Sequence, residues 1–268
     1  MKVFEFYFQE KFGGEKIIKS AFFEPKTIYE KKLGSFYFLG EKGQFNEEVS
    51  LKEIFNLFKQ NFYKKPSLSF QKAFEEAIKE INFYLKGKLS KNFFPDLNLL
   101  FIALKDKKFA LSKLGKIEIQ LIRGGKIFNL SRRQKINEKF SSLKIIFGKV
   151  FSDDLISIQT KEIFEIFEKT KIFEHLKKMY PFNPKEFKEI LESKKEEFKK
   201  PGVCAIFFFD KEKADFAKEK FSFKREISFE VEGKRKIILT FLSKKEVKLI
   251  LAFLFFLLLS FILNKILG

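Results

Sequence analysis

Residues 98–130, NLLFIALKDKKFALSKLGKIEIQLIRGGKIFNL, and residues 143–160, LKIIFGKVFSDDLISIQT, decide the fold. Short apolar and β-branched runs broken by glycine predict strands over about 98–104, 108–113, 116–123, 143–148 and 153–159. Gly115 and Gly124-Gly125 mark turns, and 132–142 reads as a polar loop.

Upstream, residues 2–8 (KVFEFYF) and 16–24 (KIIKSAFFE) read as strands. Gly13-Gly14 between them predicts a hairpin. Residues 34–40 (GSFYFLG) form a third strand. The period then changes. Ser50 is an N-cap signal before LKEIFNLFKQNFY, with Glu53 completing a capping box. A second helix starts at Ser67 or Ser69 and runs to about Leu85, with Gly87 as its stop. Downstream of Thr160 the helical period returns over 161–168, 171–179 and 185–198. Pro201-Gly202 then introduces VCAIFFFD, an apolar run suited to a strand covered on both faces. Strands and helices come in separate blocks, so the fold class is α+β with mainly antiparallel sheets enclosed by two helix groups.

Composition bounds the rest. The chain has 268 residues, a net charge of +19, 41 Phe, no Trp, one Cys and one His. The lysines are scattered among glutamates, as on solvated helix surfaces, and no aromatic-basic RNA motif appears, so nucleic acid is not an expected partner. Cys204 alone makes no internal disulfide. His175 without cysteine partners reads as a surface or packing residue, which argues against zinc. The N-terminus lacks the apolar core of a signal peptide. Leu249–Leu263 (LILAFLFFLLLSFIL) carries no charge. With its flanks it reaches about 20 residues, the length of a transmembrane helix. Lys244, Lys245 and Lys248 precede it and only Lys265 follows, which predicts a cytoplasmic N-terminal domain. The expected organisation is a domain over 1–210, a basic juxtamembrane linker or extra hairpin over 211–245, and a membrane helix over 246–267.

The central stretch resembles the metal-dependent serine/threonine phosphatases of type 2C, the PPM family. Gly115 matches the glycine of the family's Gly-Asp-Ser motif, and Arg123 lies where the family often has Arg. DDLISIQTKEIFEIF matches the segment holding Thr-Asp-Gly, with Asp154 and Thr160 in place. PGVCAIFFFD matches the final Asp-Asn strand, and FYFLGEK stands where the Asp-Gly strand precedes the helical pair. The resemblance covers about residues 1–210 and implies a four-layer α-β-β-α sandwich. It also implies hydrolysis by two Mg²⁺ or Mn²⁺ ions, which need anionic oxygen donors.

The matching positions lack those donors. Leu39-Gly40 stands at Asp-Gly, Gly115-Lys116-Ile117 at Gly-Asp-Ser, Thr160-Lys161-Glu162 at Thr-Asp-Gly, and Pro201-Gly202 at Asp-Asn. The family's early Arg and Asp have no match around 20–32. The expectation is a membrane-anchored pseudophosphatase without cofactor, acting by binding a protein or phospho-ligand. Its degenerate site is Leu39, Gly40, Lys116, Lys161, Pro201 and Gly202, and Lys116, Lys161 and Arg123 are candidate anion-binding groups. Lys116 and Lys161 could replace the metals' charge, or could simply face solvent. Two alternatives stay open. One is an active enzyme, using Mg²⁺ or Mn²⁺, with a site rebuilt from Glu41, Glu47, Asp96, Asp153, Asp154 or Glu162. The other is a basic module that binds lipid or nucleic acid.

Overall fold

The computed structural model describes residues 1–8, 16–43, 49–88, 96–131, 143–210 and 217–223. The chain divides into a unit over Met1–Arg225 and a second over Glu226–Gly268, and the described fold belongs to the first. Among the described residues no helix is long and apolar enough to cross a membrane; Leu249–Leu263 lies outside them.

The strands are β1 (Lys2–Phe8), β2 (Lys16–Phe23), β3 (Ser35–Gly43), β4 (Asn98–Lys105), β5 (Lys108–Leu114), β6 (Glu118–Arg123), β7 (Lys126–Asn129), β8 (Lys144–Lys149), β9 (Leu155–Gln159), β10 (Gly202–Phe208) and β11 (Ala217–Phe223). One sheet has the order β11-β1-β10-β9-β6-β7, the other β2-β3-β4-β5-β8. All pairings are antiparallel except β11 beside β1. β11 lies within the stretch read as linker or hairpin. The helices are α1 (Ile28–Lys31), α2 (Leu51–Tyr63), α3 (Phe70–Lys88), α4 (Lys161–Lys169), α5 (Ile172–Lys178) and α6 (Pro184–Ser193).

Period-two alternation sorts the strand residues into three apolar layers. Phe36, Phe38, Leu99 and Phe101 face outward against α2 and α3. Tyr37, Leu39, Leu100 and Ile102 of one sheet meet Ile156, Ile158, Val203 and Ala205 of the other. Phe4, Phe6, Cys204 and Ile206 face α4, α5 and α6. The result is an α-β-β-α sandwich of the α+β class.

The predicted hairpin of β1 and β2 does not form. β1 is buried on both faces, with Phe4, Phe6 and Phe8 against helices and Val3 between the sheets. A strand covered on both faces belongs inside a sheet, and β1 lies between β10 and β11. β2 is half-exposed and forms the edge of the opposite sheet. The two meet across the sandwich: Ser20 Oγ donates to the buried Glu5 carboxylate at 2.8 Å, and Tyr7 donates to it at 3.1 Å. α3 also runs through Gly87 to Lys88, beyond the expected stop. Ser50 caps α2 as expected, accepting from the Glu53 N–H, but the capping box does not close, because the Glu53 carboxylate accepts from the Tyr84 hydroxyl at 2.7 Å.

VCAIFFFD is a central strand. Cys204 is fully buried there, and burial pushes its thiol up to about 12. Thiol reagents act on thiolates, so native protein at pH 8 is expected to leave Cys204 unmodified by Ellman's reagent, and urea to release one thiol per chain. Rapid native labelling would place that strand at the surface.

Candidate functional site

On β3 the residues facing the opposite sheet are Tyr37, Leu39 and Glu41. Leu39 is part of the core between the sheets, and Glu41 follows on the same face with only 1% of its surface exposed. Gly40 points the other way. A Cβ there would sit 2.7 Å from the Phe38 ring and 2.8 Å from Leu51, so glycine lets α2 start close against the strand.

β9 leads into α4 through Thr160, which is buried and extended (φ −64°, ψ 154°). Its N–H donates to Val203 O at 3.1 Å, and its Oγ1 accepts from Val203 N–H at 3.3 Å. A Cβ on Gly202 would collide with Ile163 and with Thr160 Oγ1. Glycine is therefore required where the first turn of α4 crosses the start of β10. Pro201 lies just before it, half-buried.

That turn aims two neighbouring side chains differently. Lys161 is exposed and pairs with Glu165 at 3.3 Å along its own helix. Glu162 turns inward. Lys16, at the start of β2, places its Nζ 2.7 Å from Glu162 Oε1 and 2.6 Å from Glu41 Oε1. One ammonium thus joins a carboxylate on each side of the sandwich. Burial disfavours the Lys16 charge, but the two carboxylates outweigh it and hold its pKa above the usual lysine value. Burial holds Glu41 above the usual carboxylate range despite Lys16 and a hydrogen bond from Asn98. Glu162 is also penalised by burial, yet the hydrogen bond from Lys16 leads the effects that draw it below that range.

Asn98 connects this cluster to the Gly115 turn. It stands opposite Glu41 in the β3–β4 register, and its Oδ1 accepts the Lys116 backbone N–H at 2.7 Å. Gly115 has φ +79°, and a Cβ there would collide with Asn98 Oδ1, so both backbone and space demand glycine. The Lys116 side chain is exposed. Nearby in sequence, Lys113 is buried and donates to Ile117 O at 2.8 Å. Burial lowers its pKa, and Glu118 offsets this only in part.

No protein-family model and no curated protein matches the sequence. Solved structures do match. An arginine-to-alanine variant of a bacterial serine phosphatase aligns over 76% of this chain and 96% of its own, at 14% identity and a TM-score of 0.55. The PP2C phosphatase domain, with a regulatory fragment, of the cell fate determinant SpoIIE from Bacillus subtilis aligns over 78% of this chain and 63% of its own, at 15% identity and a TM-score of 0.53. The fold is that of the PP2C-type phosphatases.

The donors found in this PP2C fold do not suit a pair of hard divalent ions. Such ions take several anionic oxygens. Glu41 and Glu162 are two, and Lys16 already shares them. Among the described residues no group of three or more His, Cys, Asp or Glu side chains could hold a metal ion. Asp96 lies beside Gly43. Asp153 is a left-handed turn residue (φ 73°), and Asp154 is engaged elsewhere. Glu47 lies outside the described residues. His175 is exposed on α5.

Arg123 is not part of this cluster. Asp154 precedes β9 and Thr160 follows it, so the two ends are roughly 20 Å apart at about 3.3 Å per residue. Arg123 holds Asp154 through two hydrogen bonds, at 2.8 and 2.6 Å, and donates to Lys149 O at 3.0 Å. Its guanidinium stacks over Phe151, 4.5 Å from the ring centre. Asp154 is almost fully buried and also accepts Phe151 N–H at 2.7 Å. Arg123→Ala would remove the charge partner of that carboxylate while leaving the Phe151 N–H, and is expected to cost about 2 kcal/mol in chemical denaturation. Arg123→Lys should recover only part of this, because an ammonium lacks the two-pronged geometry. An unchanged midpoint for Arg123→Ala would show the pair to be dispensable.

Gly40 directly precedes Glu41, Gly115 packs against Asn98 opposite Glu41, and Gly202 packs against Thr160, two residues before Glu162, while the Lys116 and Lys161 side chains are exposed. Motif matching missed Lys16. The available signal was strand parity: Lys16 shares a face with Ile18, Ser20 and Phe22, and two of those are apolar and pack between the sheets.

Proposed function

We propose that this protein is a catalytically inactive PP2C-type domain, held at the cytoplasmic face of a membrane by Leu249–Leu263, that acts by binding a protein or phospho-ligand. The observation that carries the reading is the Lys16 ammonium between Glu41 and Glu162. An ammonium repels a divalent ion placed beside it, and Leu39, Gly40, Lys161, Pro201 and Gly202 offer no carboxylate to compensate. The apolar segment and its preceding lysines support the anchoring and its orientation.

The purified full-length protein in detergent is expected to hydrolyse p-nitrophenyl phosphate in Mn²⁺ no faster than a heat-denatured sample. Mn²⁺-dependent turnover that Glu41→Gln removes would instead establish an active enzyme with a rebuilt site. Retention in membranes through a carbonate wash, lost on deleting 246–267, tests the anchor.

A further inference from the structure

We propose that Lys16 is a resident substitute for a divalent cation: it ties the two sheets together through Glu41 and Glu162, and taking its ammonium away turns the same carboxylates into a divalent-cation site. The inference shares with the proposed function the view that this end of the sandwich has exchanged metal for ammonium.

The geometry supports the exchange. Oxygens from two different layers lie within 2.7 Å of one nitrogen. Glu41 comes from β3 in one sheet, and Glu162 from the first turn of the helix that follows β9 in the other. Without a cation between them, two carboxylates converge in a buried gap, which is unfavourable. Glu41 is fully buried, and the Lys16 and Glu162 side chains are 30% and 17% exposed, so water screens the cluster far less than it screens a surface pair.

The charges also leave room for a doubly charged ion. Two carboxylates contact the Lys16 ammonium, and the charge of Lys200 acts on Glu162 from beyond contact distance. Lys16 bonds Oε1 of Glu162, and Oε2 of the same carboxylate is buried and not bonded by Lys16. The cluster therefore keeps a spare acceptor that a single ammonium does not satisfy. Mg²⁺ and Mn²⁺ bind through one or two carboxylates when waters complete their shell. Serine in place of Lys16 would vacate the volume of a four-carbon stem and ammonium for such a hydrated ion. The Asn98 Oδ1 is already taken by Lys116 N–H, so its amide group stays a donor to Glu41 and helps fix that carboxylate in place.

The test uses Mn²⁺ alone as probe, followed by its paramagnetic resonance signal, on the full-length protein in detergent. Lys16→Ser is expected to bind one Mn²⁺ per chain at least about tenfold more tightly than the wild type. Mn²⁺ should raise the melting temperature of the variant and not of the wild type, and Glu162→Gln added to Lys16→Ser should abolish both gains. Equal Mn²⁺ affinity in wild type and Lys16→Ser overturns the proposal, as does a gain that survives Glu162→Gln. Should Lys16→Ser be unfolded alone, recovery of its circular dichroism in millimolar Mn²⁺ supports the proposal, and failure to recover overturns it. Phosphatase activity in the wild type would end the proposed function, whereas this comparison reads metal affinity and is decided separately.

Discussion

Lys16→Met is expected to destabilise the protein by about 2–3 kcal/mol at neutral pH, and the loss should shrink as the pH falls toward 5. The magnitude comes from removing one partner of a buried ionic cluster, which costs about 3–5 kcal/mol when the remaining charge is wholly enclosed. Partial exposure of Lys16 and Glu162 lowers that figure. Methionine keeps the stem volume, so the loss reports charge more than packing. In the wild type, the folded pKa of Glu162 is lowered and that of Lys16 is raised. The Glu162 contribution is present above its unfolded pKa and is lost as pH falls through the folded value. The Lys16 contribution is complete below its unfolded pKa and is lost as pH rises through the folded value. The cluster therefore stabilises between about pH 5 and pH 10. Glu41, raised by burial, works against this at high pH and eases as it takes up a proton. In Lys16→Met that proton is held more tightly, because the neighbouring cation is gone. Urea midpoints at pH 7 and pH 5 measure both effects. A midpoint equal to wild type, or a loss independent of pH, would show that Lys16 does not neutralise the two carboxylates.

Phe58→Ala should have the largest effect of any single truncation in the layer of α2 and α3, about 3–5 kcal/mol. Phe58 has no exposed surface and joins α2 to the sheet beneath it. Its ring stacks on Phe101 of β4 at 4.5 Å and meets Phe36 of β3 at 4.9 Å. Phe62 of its own helix and Phe74 of α3 lie at 5.5 Å. Alanine would leave a cavity bordered by four large rings, and rigid aromatic neighbours collapse poorly into such a space. Phe58→Leu should cost roughly half as much. Phe83, on α3 but 77% exposed, is the contrasting site, where alanine is expected to change stability by less than about 0.5 kcal/mol. Equilibrium denaturation of the three variants separates these outcomes. Similar losses at Phe58 and Phe83 would mean that burial does not govern this layer.

What was legible in the sequence follows from how local each signal is. The Ser50 cap, the apolar faces of α2 and α3 and the doubly covered β10 are set by neighbours within a few residues, and each formed where expected. The fate of β1 and β2 depended on partners far along the chain. KVFEFYF alternates between phenylalanine and other residues, but Val3 and Glu5 on its second face are also buried, so both faces needed cover. Nothing local distinguishes that from a hairpin arm. β7 is only four residues long, too short for a period-two pattern to stand out after the Gly124-Gly125 turn.

Of the Lys16–Glu41–Glu162 cluster, the sequence offers Glu41 and Glu162 only as donors of a rebuilt site and does not single out Lys16. Gly40, Gly115 and Gly202 are glycines because each lacks room for a Cβ, and that constraint leaves a trace in motif comparison. Lys16, Glu41 and Glu162 lie on β2, β3 and α4 and become neighbours only when the sandwich closes. Among so many lysines, the two at motif positions drew the reading, while the one that faces inward sits at the start of an edge strand. The apolar segment at 249–263 lies outside the described residues, and the proposed anchoring rests on its composition.

A crystal structure of the protein grown in Mn²⁺, with data collected at the manganese edge, shows whether Lys16 or a metal joins the two carboxylates. Lys16 Nζ is expected in hydrogen-bond contact with both Glu41 and Glu162, with no anomalous peak between the two carboxylates. A manganese peak coordinated by Glu41 and Glu162, with the Lys16 side chain displaced, would contradict that expectation.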